Sequence, residues 1–100
     1  AASRETLTYL DLRLDPARHE AFLGGKPLDL RTQEFELLLA LISQPERVFS
    51  REQLLQTAWG YDFFGQTRTV DVHIAHLRRK MVGGKANILT VTGIGYKLTG

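Results

Sequence analysis

The segment Arg68 to Met81, RTVDVHIAHLRRKM, constrains the fold of this chain more than any other. Its apolar residues Val70, Ile74, Leu77 and Met81 step by four, three and four, the spacing of one face of an α-helix. At about 100° per residue they fall within a narrow arc, so this helix must lay one side against a core. The opposite arc carries Arg68, Val72, Ala75, His76 and Arg79, with Thr69 and Lys80 at its edge. Arg68, Arg78, Arg79 and Lys80 against Asp71 leave +3 on this segment, whereas the whole chain carries only +2. A basic outer face is by itself the ordinary property of a solvated helix. Two details argue for more. Val72 and Ala75 interrupt the charges where a solubilising face carries Glu, Gln or Lys, and Asp71 is poorly spaced for a helix-surface pair with an Arg or Lys. Guanidinium groups for phosphates and guanine edges, with small apolar groups for thymine methyls, are what reading a DNA major groove requires.

A core for that helix to rest on is affordable: 43% of the 100 residues are hydrophobic and 9% aromatic, which fits one small folded domain and argues against disorder. The absence of cysteine excludes a disulfide framework and a thiolate zinc site, and fits a reducing compartment. The longest apolar run, Leu37 to Ile42, is six residues and belongs to an amphipathic pattern, far short of a membrane span. With no charged leader before a long apolar stretch, a cytoplasmic protein with no membrane partner is expected. Residues 1–6 lack periodicity and read as a linker remnant, which leaves the domain at 7–100.

From Leu7 to Leu30 the pattern is strand-like. Leu10, Leu12 and Leu14 alternate with Asp11 and Arg13, Asp15-Pro16-Ala17-Arg18 has the form of a type I turn, and Gly24-Gly25 suits a hairpin between Ala21–Leu23 and Lys26–Leu30. A small antiparallel sheet follows. Thr32 is the expected N-cap of a first helix, with Glu34 in its first turn, Phe35, Leu38, Leu39 and Ile42 as its core stripe, and Pro45 ending it. Val48-Phe49 reads as a short strand. Ser50-Arg51-Glu52-Gln53 has the form of a capping box, opening a second helix in which Leu54, Leu55 and Ala58 face inward, Trp59 closes the run and Gly60 caps it. After a loop, Tyr61 to Gln66, comes the basic helix, at about 67–81. Two strand-like runs, 88–92 and 96–99, flank Gly93-Ile94-Gly95, a strong hairpin signal. Sheet, helix, short strand, helix, loop, helix, hairpin is the order of a winged helix, an α+β fold.

In five segments the chain resembles the OmpR/PhoB-type effector domain of bacterial two-component response regulators: Leu30 to Leu39, Val48 to Leu55, Trp59-Gly60-Tyr61, Arg68 to Lys80, and Thr90 to Leu98. They stand in order, at the family's spacing, across nearly the whole chain. The resemblance implies a winged helix-turn-helix with an N-terminal antiparallel four-stranded sheet, three helices and a C-terminal β-hairpin wing. It implies sequence-specific binding of double-stranded DNA for transcription regulation, with the third helix in the major groove and the wing, about 88–99, at the minor groove. The helix positions it marks for phosphates or bases are Arg68, Thr69, Val72, His73, His76, Arg78 and Arg79, with Trp59 near the backbone. The loop Tyr61, Asp62, Phe63, Phe64, Gly65 and Gln66 matches one that contacts RNA polymerase. An N-terminal receiver domain, tandem half-sites and a second copy bound head-to-tail are implied as partners, and no cofactor.

Two residues depart from the family pattern. His76 stands where Arg is common, and Thr92 stands where the wing commonly carries Arg, so weaker wing anchoring is expected. Among the other candidates, Arg68 sits at the helix N-terminus, and Arg79 points most directly outward. Arg78 lies nearer the core boundary, open to DNA or to a carboxylate of another helix. Asp71 is expected to be structural, bonded to an Arg. His73 and His76, three apart, share a face but lack a third metal ligand, so no metal is expected. Trp59 reads as a core-edge residue, and Tyr96 as packing for the wing. Phe63 and Phe64 either enter the core or form an exposed patch. Lys97 and Arg51, beside the Ser50 cap, are candidate phosphate contacts, as are the backbone N–H groups there. The rival reading is a winged-helix protein-interaction module without specific DNA binding, which the retained Arg68, Arg78 and Arg79 disfavour. No nucleophile elbow, phosphate loop or metal cluster supports an enzyme.

Overall fold

A computed structural model describes residues 5–61, 63 and 65–100. The linker reading over residues 1–4, and the loop residues Asp62 and Phe64, lie outside the described residues. Strands β1 (Leu7–Tyr9), β2 (Leu12–Asp15), β3 (Glu20–Leu23) and β4 (Lys26–Leu28) form an antiparallel sheet in chain order. Helix α1 (Thr32–Ser43) follows, then β5 (Phe49–Ser50), α2 (Arg51–Trp59) and α3 (Arg68–Lys80). Strands β6 (Asn87–Val91) and β7 (Gly95–Thr99) close the chain as a hairpin that joins β5 in a second antiparallel sheet, ordered β5-β7-β6. Among the described residues no helix is long and apolar enough to cross a membrane.

The alternation through Leu10, Leu12 and Leu14 is not one strand. Leu10 is exposed at φ +55° and shares a turn with Asp11, so the strand proper begins at Leu12. The reason lies far away in sequence: the Asp11 carboxylate accepts the backbone N–H groups of Lys85 and Ala86, at 2.8 and 3.1 Å. Those bonds hold the carboxyl below its usual range and fasten the first sheet to the loop after α3.

Helix α1 is the centre of the core, packed on α2, α3, β1 and β7. Its buried face is therefore wider than the expected stripe. Leu37 and Leu41 join Phe35, Leu38 and Ile42 inside, while Leu39 is only half-buried. Its N-cap is Arg31 rather than Thr32; no side chain caps the helix start, but Glu34 reaches back to accept the Arg31 N–H at 2.9 Å. In α2 the Ser50–Gln53 capping box forms as its pattern predicts, and Leu54 and Leu55 are buried with Ala58 at the margin. Helix α3 buries all four residues of its apolar stripe, Val70, Ile74, Leu77 and Met81. Each such side chain contributes about 1.5–3 kcal/mol when removed from water, enough to fix which face of α3 turns outward.

Candidate nucleic-acid interface

With its inner stripe buried against α1, α2 and β6, helix α3 presents the other arc to solvent. Arg68, Val72, Ala75 and Arg79 are exposed, and Thr69 and His76 are half-buried at its edges. Val72, a β-branched apolar residue, is left 44% exposed among cations. His73 turns inward: its Nδ1 lies 2.8 Å from the Thr69 carbonyl, and the Trp59 ring meets it edge-on at 4.9 Å between centroids. A carbonyl accepts only, so Nδ1 carries the proton and Nε2 is the free ring nitrogen. Trp59 thus sits half-buried at the core edge, supporting the middle of α3.

Asp71 joins three elements. It accepts from Arg51 Nε at 3.0 Å and from a terminal Arg51 nitrogen at 2.5 Å, and the Tyr96 hydroxyl donates to it at 2.6 Å. The start of α2, the first turn of α3 and the wing strand β7 are held by one carboxylate. Burial, with Asp71 as acceptor, pushes the Tyr96 hydroxyl up to about 12, so it remains a donor throughout the physiological range. Arg78 secures the other wing strand, with Nε donating to the Ile88 carbonyl at 3.0 Å and a terminal nitrogen to Thr90 Oγ1 at 2.5 Å. Its guanidinium also lies 5.5 Å from the centre of the Tyr96 ring. Among the described residues it pairs with no helix carboxylate, and it works as the tie between α3 and the wing.

The remaining sequence candidates are dispersed. Thr92 is exposed in the wing turn beside Gly93 and Ile94, whereas Lys97 Nζ lies 3.8 Å from Glu46, away from that turn. Beyond α2, Tyr61 is 81% exposed and Phe63 packs over Trp59 at 6.0 Å while staying partly open to solvent. Phe63 is thus neither a core residue nor a free one. Gly65 lies half-buried under the Phe63 ring, Gln66 is exposed, and Asp62 and Phe64 are outside the described residues.

Sequence reasoning missed Glu34 as a buried charge. Only 1% exposed, it accepts from Lys80 Nζ at 2.6 Å and from the Arg31 N–H, and its Oε2 stands 3.7 Å from His76 Nδ1. Burial pushes its carboxyl up, but Lys80 and the Arg31 N–H more than offset this and hold it below the ordinary value. The signal was available, because Glu34 is in step with Leu38 and Leu41 on the core face of α1.

A helix with a free cationic arc, locked to a C-terminal hairpin and preceded by a four-stranded sheet, defines a winged-helix DNA-binding domain of one particular architecture. Residues 25–98 match the family described as Transcriptional regulatory protein, C terminal, and the chain belongs to it, among the OmpR/PhoB-type winged helices. These are DNA-binding domains of transcriptional regulators and not enzymes. The uncharacterized transcriptional regulatory protein YclJ of Bacillus subtilis (strain 168) is 51% identical over 80 residues, which is 78% of this chain and 35% of YclJ. The phosphate regulon transcriptional regulatory protein PhoB of Escherichia coli (strain K12) is 41% identical over 100 residues, covering 98% of this chain and 44% of PhoB. The chain therefore spans less than half the length of these curated relatives. The DNA-binding domain of Klebsiella pneumoniae RstA, solved in complex with the RstA box, is 31% identical with a TM-score of 0.82, over 95% of this chain and 97% of that one.

Proposed function

We propose that this domain binds double-stranded DNA in a sequence-specific manner, with α3 in the major groove and the β6–β7 wing at the adjoining minor groove. The observation that carries the reading is the outer arc of α3, where Arg68, Val72, Ala75 and Arg79 are exposed and His76 is half-buried at the edge while the inner arc is sealed in the core. Arg68, in the first turn, and Arg79, most outward, are the leading contacts; Thr69, Val72 and His76 line the rest, and His73, packed on Trp59, supports the arc from its edge. Arg78 and Arg51 act mainly by fixing the wing and α2 to α3, a role supported by their bonds to Ile88, Thr90 and Asp71. The DNA complex of the RstA domain, a relative of the same fold, supports the assignment.

The larger setting is part of the same proposal. The domain is the C-terminal output unit of a two-component regulator, follows a receiver domain, and binds tandem half-sites beside a second copy. The loop from Tyr61 to Gln66 is its contact with RNA polymerase. The exposure of Tyr61 and Phe63 supports that last assignment.

Two titrations test the interface. With four to six phosphates neutralised per monomer, log K against log salt should have a slope of about −4 to −5, and Arg79→Ala should bring it about one closer to zero. A slope near zero, or no change in Arg79→Ala, contradicts the assignment of the α3 face. The second concerns the wing, where the exposed Thr92 supplies no charge to a narrow minor groove. Thr92→Arg should tighten binding and steepen the salt slope by about one. Coincident slopes for the two proteins would show that the wing turn does not reach the DNA.

A further inference from the structure

We propose that the pocket between the start of α1 and the last turns of α3 seats a backbone phosphate of the bound duplex, with Arg31 and Arg79 as its cationic contacts. This rests on the DNA-binding reading above and extends the footprint to a residue outside the helix-turn-helix. The pocket is open, about 260 Å³ in volume, and lined by Arg31, Glu34, His76, Arg79 and Lys80. Its one carboxylate is already satisfied. Glu34 lies at the bottom, 1% exposed, and accepts from Lys80 Nζ at 2.6 Å, while that ammonium also donates to the Asp29 carbonyl at 2.8 Å. The guanidinium groups of Arg31 and Arg79, by contrast, make no ion pair among the described residues. Counting Arg31, Arg79 and Lys80 against Glu34, with His76 neutral, the pocket carries +2.

Glu34 answers part of this charge, its carboxyl lowered by Lys80 and by the Arg31 guanidinium as well, and the remaining +2 leaves room for one further anion. The identity of that anion follows from continuity, since His76 and Arg79 belong at once to this pocket and to the outer arc of α3. Arg31 comes from α1, beside the groove helix and not on it, so it reaches the backbone flanking the site and not a base edge. Apart from its charge acting on Glu34, its side chain makes no ion pair among the described residues. It occupies an N-cap, where Ser, Thr, Asp and Asn are favoured, yet makes no capping bond.

That last fact supplies a variant safe for the fold. Arg31→Ser places a preferred capping residue at the helix start, which offsets the loss of the Arg31 charge near Glu34, so the melting temperature should stay within a few degrees of wild type. At about 0.1 M salt the affinity for duplex should nevertheless fall about 5- to 10-fold, with the salt slope about one closer to zero. The loss should be equal on a preferred and a scrambled duplex, because a phosphate contact carries no sequence information. An unchanged slope in Arg31→Ser overturns the proposal and leaves the DNA-binding reading standing. So does a loss confined to one sequence, which would make Arg31 a base contact. Millimolar inorganic phosphate, added at constant ionic strength, distinguishes a small-anion seat. A rise in wild-type melting temperature that disappears in Arg31→Ser, with DNA slopes alike, would assign the pocket to a free anion and overturn the proposal. Failure of the wild-type domain to bind any duplex refutes both readings together.

Discussion

Gly95→Ala is expected to destabilise the domain by about 3 kcal/mol, a fall in melting temperature of roughly 12–24 °C for a chain of this size. A Cβ built at this position lies 1.9 Å from the Phe49 carbonyl oxygen, and 2.8 and 2.9 Å from the Phe49 carbonyl carbon and Ser50 Cα. All three are backbone atoms, so no side chain can rotate away to make room. The short β5 must leave β7, and with it moves Ser50, which pairs with Gly95 and caps α2. Gly93→Ala is the control. Gly93 also belongs to the wing, at φ +78°, but a Cβ there meets nothing within 4 Å. Its cost is the left-handed backbone alone, about 1–2 kcal/mol. Equal melting temperatures for the two variants would show that β5 does not press on β7 as described.

Lys80→Met is expected to cost about 3 kcal/mol at pH 7, because it leaves the Glu34 carboxylate buried without its cation. The figure is taken from the low end for a broken buried pair, since Lys80 is itself 34% exposed and water can replace part of the ammonium. The pH dependence identifies the cause. In the wild type, with the Glu34 carboxyl held low, the pair stabilises the fold above the ordinary carboxylate range, and that contribution is lost as pH falls through the lowered value. In Lys80→Met burial is offset only by the Arg31 N–H and the Arg31 charge, so the carboxyl rises and the Glu34 contribution to stability weakens relative to wild type as pH increases. The gap in unfolding free energy between the two proteins should thus be widest at pH 7 and shrink towards pH 4. Adding Glu34→Gln to Lys80→Met should recover most of the loss. A gap independent of pH would assign the effect to packing of the Lys80 stem.

What the sequence made legible was local and periodic. The stripe Val70, Ile74, Leu77, Met81 predicts both the existence of α3 and the face it buries, because helical period and burial are one statement. The Ser50–Gln53 capping box is contained in four residues, and it forms. Contacts between segments distant in the chain were not legible. Leu10 continues an alternation and yet turns outward, since Asp11 is committed to backbone groups at Lys85 and Ala86. Gly95 reads as a turn residue, but it is the first residue of β7, paired with Ser50, and is required by the approach of Phe49. In the site, Asp71 is held by an arginine as expected, but that the arginine is Arg51 depends on how α2 crosses α3. Arg78 offered two readings, DNA or a helix carboxylate, and its strongest ties are to the wing. Arg31 gave no signal at all, because its importance arises only where α1 begins beside the last turns of α3.

If the open arc of α3 reads sequence in duplex DNA, selection of bound sites from a random duplex library will show it. A defined motif should be enriched, strongest as a direct repeat with half-sites about one helical turn apart, and that preference should be lost in Arg68→Ala and Arg79→Ala. Binding that responds to salt but enriches no sequence over the input library would contradict it.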